Sequence, residues 1–295
     1  MLKRRPYKLK MLDMFIIMSV LMFLAYLAFR IKNNLQYNWE WGVIPQYLVR
    51  FDSEKNRWVL NTLSQGFFTT IRLSIWSTFM AVLIGVLMGL FRISKSLFLR
   101  WVGRVYVEAV RNLPPLVLIF IFYYFISDQI LNAFDIESLL INASSGTKSL
   151  ITFLFAPPHL FTRFLSALIT LAIFEGAYIA EIVRAGILSV DKGQWEASYA
   201  LGCSRRQLMF LVVLPQAVKN TLPPLAGQFI STIKDSAIVS VISIQELTFQ
   251  GMELMSATYL TFEVWLTITA LYLILTFSLS AAVNQLEIKM RRHRA

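Results

Sequence analysis

The chain has 295 residues, 57% of them hydrophobic and 15% charged, with a formal net charge of +11. A soluble domain carries about 25% charged and roughly 45–50% apolar residues, so a single water-facing core cannot hide this much apolar surface, and composition points to an integral membrane protein. The basic residues fall in short clusters between apolar runs, not in one stripe, which suits a polytopic chain and argues against nucleic acid as a partner.

About 20 apolar residues cross a hydrocarbon core of roughly 30 Å, and six stretches qualify. They are Met11–Arg30, Gly66–Phe91, Val105–Ile126, Phe164–Ser189, Leu222–Ile244 and Phe262–Val283. The opening MLKRRPYKLK and its apolar run have the look of a signal peptide. The run ends in FRIKNN without a small-residue cleavage site, so it reads as a retained first span. Pro114-Pro115 and Pro223-Pro224 should break or kink their helices.

Lys and Arg in the short connections set the orientation. The N-terminal tail, the Arg92–Arg104 loop, the Lys192–Lys219 connection and the C-terminal tail are all basic and share one side if the spans alternate. The opposite connections are poor in Lys and Arg, apart from the longer Ile31–Gln65 loop. Both termini are therefore expected in the cytoplasm, in a multi-pass chain organised as residues 1–65, a core over 66–285 and a basic tail over 286–295.

The chain holds one cysteine, Cys203, two histidines, His159 and His293, and no GxxxxGK[ST] loop. No metal-ligand spacing or nucleophile–base pattern stands out, so no enzymatic activity is expected.

The fourth and fifth spans are separated by GQWEASYALGCSRRQLMFLVVLPQAVKN, Gly193 to Asn220, which is polar where its flanks are apolar. Asp191 with Gln194 has capping-box spacing and Gly202 is suited to a helix end, which predicts a short helix over about 191–202. Ser204 with Gln207 should start a second helix that ends or bends at Pro215. Trp195 and Tyr199, at i and i+4, would share a face. Such a helix either rests on lipid headgroups or docks a soluble partner.

Glu196-Ala197, Gly202, Val212 and Leu214-Pro215 keep a fixed spacing that resembles the EAA signature of permeases of ATP-binding-cassette (ABC) importers. Ser198 and Val212 replace the usual Ala and Ile. The resemblance extends over approximately Gly66 to Gln285 and is to the polar amino acid permeases of histidine, glutamine and glutamate type. EGAYIAEIVRAGI, IKDSAIVSVISIQEL and VEAVRNLPPLVLIFIFYY carry it.

The resemblance implies an all-α membrane fold with a five-helix type I importer core, here with an extra N-terminal span, and a cytoplasmic coupling helix. It implies a separate ATPase dimer holding ATP and Mg, a second permease chain, identical or not, and an extracytoplasmic substrate-binding protein. No cofactor or metal is implied for this chain, and its place is the bacterial cytoplasmic membrane. The coupling residues carried over are Gln194, Trp195, Glu196, Ala197, Ser198, Leu201, Gly202, Arg205 and Arg206.

Charges at bilayer depth each cost at least about 2.5–3.5 kcal/mol on insertion scales, so each needs a reason. Glu175, mid-span, is either a substrate-cavity residue, a structural partner of Arg72 or Lys234, or a neutral carboxyl. Tyr178 joins it as a cavity candidate. Glu181 with Arg184, Glu108 with Arg111, and Lys234 with Asp235 read as pairs, with Glu181, Arg111 and Lys234 kept as pathway candidates. Arg72, toward the outer end of its span, should snorkel.

Three functions compete. The first is an importer permease for an amino acid. The second is a self-sufficient secondary transporter of amino acids or cations built on Glu175, which should show an internal repeat, and none stands out. The third is a simple membrane anchor, which has no use for buried charges.

Overall fold

The computed structural model describes residues 11–34, 37–54, 56–127 and 143–292, with single positions 129, 131 and 140. The basic N-terminal tail, His293 and Arg294 lie outside the described residues. The chain divides into two compact units at the Trp41–Gly42 junction. The first holds α1 (Met11–Asn34), whose described side chains are exposed and largely apolar.

The second unit opens with α2 (Ile44–Leu48) and a hairpin of β1 (Val49–Asp52) and β2 (Arg57–Leu60), pairing Phe51 with Trp58. This small sheet is the one addition to an otherwise helical architecture among the described residues. Cross-strand aromatic packing, with ring centroids 5.5 Å apart, and Asn56 at φ 45° in the turn favour a hairpin over a helix here. Then come α3 (Thr62–Arg92), α4 (Leu97–Asn112), α5 (Pro115–Ile121), α6 (Ser145–Leu154), α7 (Pro158–Leu188) and α8 (Lys192–Ala200). The chain closes with α9 (Leu214–Asp235), α10 (Leu247–Thr258) and α11 (Thr261–Arg292).

Among the described residues four helical runs are long and apolar enough to cross a membrane, and five if the bent pair α4–α5 counts as one span. Five of the six expected spans correspond to these runs; the expected first span falls on α1, 24 residues and largely apolar, whose described apolar stretch is Met11–Phe23. The third expected span is not straight: α4 and α5 meet at 116°. Leu113 precedes a proline and is extended at φ −94°, ψ 147°, and Pro115 starts the new helix where its missing N–H costs nothing.

At the other two proline sites the helix is not ended. Pro215 lies in the first turn of α9, directly after a π-helical stretch over Leu208–Val213, so the helix continues through it. The wider π turn changes the carbonyl pairing that an interior proline would otherwise obstruct. Pro223 and Pro224 also lie inside α9 without ending it, as transmembrane helices allow when neighbouring groups meet the freed carbonyls.

At the centre stands α7. In the run Ser145–Leu188 the most apolar window is 72% buried, against 6% in Thr261–Gln285. Lipid tails are as apolar as Leu, so close backbone approach and dispersion hold such helices together. Gly89 of α3 lies so close to α7 that an added Cβ would stand 2.9 Å from the Ala180 carbonyl and from Val183. A Cβ on Gly186 would collide with Thr221 of α9. Arg72 and Trp76 of α3 donate to the Thr152 and Leu154 carbonyls of α6 at 2.6 and 2.9 Å. Arg72 is thus tied to backbone carbonyls. Ile44, Leu63, Leu247, Leu254 and Val264 form a further cluster that anchors α2 and α10.

A capped surface helix and an intramembrane carboxylate

Two arrangements follow one another along the chain. The first is α8, which the sequence places between spans. Asp191 accepts from the Gly193 N–H at 2.7 Å and forms no box with Gln194, a correction to the expected cap. Gln194 instead accepts from Gln216 of α9 at 3.5 Å. The helix ends at Leu201, followed by Gly202 at φ 76°, where only a residue without Cβ sits at no cost. Ser204 and Gln207 do form the expected reciprocal box, with contacts of 3.3 and 2.8 Å.

The outward side of this element is nearly bare. Gln194, Glu196, Ala197, Gly202, Arg205 and Arg206 are exposed, and Leu201 is 84% exposed. Trp195 and Tyr199 do not share an environment: Trp195 is half-buried against the Val190, Leu208 and Val213 cluster, whereas Tyr199 is 54% exposed. Ser198 is buried and donates to the Gln194 carbonyl at 2.7 Å. Trp195 therefore fastens the helix, Ser198 is turned inward with its hydroxyl bonded within the helix, and the remaining side chains form a surface. An exposed apolar Leu201 beside charges fits a protein partner better than free solvent.

The second arrangement lies in α7. Glu175 is fully buried, and one carboxylate oxygen accepts from Gln228 Nε2 of α9 at 2.6 Å. Its other oxygen, Oε1, is buried without a hydrogen-bond partner, and Asp235 and Thr232 stand beside the carboxylate. Neither expected cation meets it. Arg72 is held by the Phe68 and Thr152 carbonyls, and Lys234 is exposed. Lys234 and Asp235 do not form an ion pair either, because consecutive helical residues point in different directions.

The remaining pairs are partly rearranged. Glu181 binds Arg184 as expected, and also Arg92 from the end of α3, which locks the two helices together beside α8. Glu108 pairs with Arg104 one turn back at 2.7 Å, not with Arg111. Arg111 lies over the half-buried ring of Tyr178, 5.4 Å from its centroid, and Phe174 meets that ring edge-on at 5.3 Å. Arg111, Tyr178 and Phe174 thus join α4 to α7.

Gln228 and Arg92 carry these contacts, and Glu246 a further set, without having been assigned pairing roles from sequence. A polar Gln inside an apolar helix was the available signal for Gln228. Glu246, outside the spans, is buried at the start of α10 and accepts from the Phe249 N–H at 2.8 Å and Tyr272 at 2.9 Å. Burial pushes its carboxyl up to about 7, opposed by those hydrogen bonds. Among the described residues no cluster of His, Cys, Asp and Glu is arranged to hold a metal ion.

A bent-helix membrane core with a capped surface helix between two spans is the architecture of an importer permease, and comparison with known proteins agrees. The chain belongs to the family of binding-protein-dependent transport system inner membrane components, matched over residues 81–292. It is 33% identical to the probable glutamine ABC transporter permease GlnM of Bacillus subtilis, covering 77% of this chain and 92% of that protein. It is 34% identical to the L-cystine transport system permease TcyB of the same species, covering 78% and 87%. For the glutamine transport system permease GlnP of Escherichia coli K12 the values are 33%, 78% and 93%.

A crystal structure of an amino acid ABC transporter with histidines contains a chain that is 32% identical, with a TM-score of 0.62, covering 77% of this chain and 94% of that one. The MetNI methionine transporter, at 18% identity and a TM-score of 0.56, shares the fold. The chain is thus the permease component of an ABC importer in the inner membrane, and is not itself the ATPase. Family membership implies ATPase subunits and a substrate-binding protein. The self-sufficient transporter reading is set aside.

Proposed function

We propose that this chain forms the membrane pathway for a polar amino acid and is driven through α8 by an ATPase on the cytoplasmic side. The observation that carries the reading is the outward face of α8, capped at both ends, fastened by Trp195, and otherwise open. Glu196, Ala197, Leu201, Arg205 and Arg206 would meet the ATPase. Movement there would pass to α9 through Trp195 and the Gln194–Gln216 contact, and to α7 through the three residues between them.

Glu175 with Gln228 is the proposed polar station along the route, its carboxyl oxygens being acceptors suited to a substrate ammonium. Tyr178, Arg111, Glu181 and Lys234 are the other pathway candidates. A polar amino acid is favoured because the similar permeases are named for glutamine and cystine and the similar structure is of an amino acid transporter. Both termini are placed in the cytoplasm, residues 66–285 form the permease core, and a second permease chain, identical or paralogous, completes the pathway.

The test is gentle affinity purification from the native membrane, wild type beside Gly202→Val. A Cβ at Gly202 meets no atom within 4 Å, so only the backbone is challenged. A branched residue at φ 76° costs about 1–2 kcal/mol and should distort the turn after α8. An ATPase recovered with wild type and lost with the variant supports the reading. Wild type that comes out intact and without an ATPase refutes it.

A further inference from the structure

The amphipathic helix α4 presents two neighbouring stripes near the basic end of the molecule. Arg100, Arg104 and Glu108 recur every fourth residue, and so do Leu97, Trp101 and Val105. The polar stripe opens into a cleft of about 650 Å³ that also receives Arg92 from α3 and Arg184 from α7. Two carboxylates serve these four guanidiniums: Glu108 in the cleft, and Glu181, which joins Arg92 and Arg184. Two positive charges are left over, and among the described residues Arg100 has no acidic partner.

The apolar stripe borders a separate open recess of about 770 Å³, shaped by Leu97, Phe98, Trp101, Val102, Val105 and Tyr106. Phe98 is 73% exposed and Trp101 64% exposed. The cleft and the recess share Leu97, Trp101 and Val105 as a common wall.

We propose that this joint cleft binds an anionic phospholipid, with its phosphate among Arg92, Arg100 and Arg104 and an acyl chain along Leu97, Phe98 and Val102. Charge complementarity selects the occupant. Surplus guanidiniums recognise a phosphate through charge-assisted, often bidentate hydrogen bonds. A zwitterionic headgroup brings its own cation and gains less. Trp101, at the border of the charged and apolar parts, suits the headgroup level of a bilayer. Basic pockets between spans on the cytoplasmic side are a known setting for anionic headgroups. Assignment to the cytoplasmic leaflet rests on the orientation proposed above; the site itself does not. Because Arg92, Glu181 and Arg184 tie α3 to α7 immediately before α8, lipid on these arginines would tune how firmly α8 is held.

The test uses the whole transporter complex, purified into mixed micelles with phosphatidylglycerol and phosphatidylcholine and weighed intact by native mass spectrometry. Wild type should retain phosphatidylglycerol in preference to phosphatidylcholine. The double variant Arg100→Gln, Arg104→Gln should hold it roughly thirtyfold more weakly. Arg100→Lys, Arg104→Lys should keep most of the binding, which shows that charge and not misfolding is responsible. The proposal is overturned if the glutamine variant retains phosphatidylglycerol like wild type, or if phosphatidylcholine is retained equally. Displacement by inorganic phosphate, but not by chloride of equal ionic strength, would also overturn it, as a free-anion site. So would efficient cross-linking of Trp101→Cys to a second permease chain, which would mean that protein covers the apolar recess.

Discussion

Only Ser189, Val190 and Asp191 separate α7 from α8, yet the two helices solve opposite problems. The first is buried nearly all round and keeps a carboxylate, Glu175, at the centre of the packed helices. The second is exposed nearly all round and is secured by caps and one tryptophan. In α7 the partners of a polar group come from distant sequence, with Gln228 lying 53 residues on. The caps at the start of α8 and of the turn that follows it, Asp191 with Gly193 and Ser204 with Gln207, lie a few residues apart, and the Gln194–Gln216 contact spans 22. A surface helix can be specified locally, whereas an intramembrane charge depends on how whole helices pack.

The largest expected effect comes from breaking the exposed side of this comparison. Glu196→Lys reverses a charge on the outward face of α8 without touching its caps. If that face docks an ATPase, the loss should be about 2 kcal/mol or more of docking free energy, over tenfold in affinity. Uptake of radiolabelled substrate in cells should collapse while the amount of chain in the membrane stays normal. Uptake at wild-type level would mean that the bare face of α8 is only a solvated surface.

This contrast also governs what the sequence made legible. The extents of α3, α7 and α11, the α8 helix and the Ser204 box follow from apolar run length and from short-range capping chemistry. The partners of Glu175, Glu108 and Arg92 do not. Each Arg and Glu on a helix has several candidates at i±3 and i±4, and the choice of Arg104 over Arg111 for Glu108 depends on Tyr178 arriving from α7 to take Arg111. That the helix runs on through Pro215 was hidden for a similar reason, since the π turn that precedes it is a property of the packed chain and leaves no signature in the local residues. The hairpin between α2 and α3 was hidden behind a stretch read only for its charges.

A smaller effect sharpens the buried side. Gln228→Leu removes the donor to Glu175 and leaves a second buried carboxylate oxygen unsatisfied, which should cost about 1–3 kcal/mol and lower the thermal midpoint of the purified complex. Glu175→Gln separates structure from transport. It keeps the shape and should leave the thermal midpoint close to wild type, while slowing uptake if the carboxylate meets the substrate. Unchanged uptake and substrate preference in Glu175→Gln would make the Glu175–Gln228 contact purely structural.

The smallest expected effect concerns how firmly the start of the second helix is fixed. Ser204 Oγ accepts from the Gln207 N–H while the Gln207 side chain accepts from the Ser204 N–H. Ser204→Ala removes one half of this exchange and frees the other, and loss of such a cap costs about 1 kcal/mol. Both residues are exposed, so water replaces part of the lost bond and global stability should barely move. The change should appear locally: opening of the first turn becomes easier by about fivefold, and the Gln207 amide exchanges its hydrogen faster by that factor. Amides of the packed part of α9, beyond Val213, should be unaffected. If exchange accelerates along the whole of α9 as well, the box is holding the membrane helix and not only its surface turn, and the separation between a locally specified surface and a globally specified interior fails at this point.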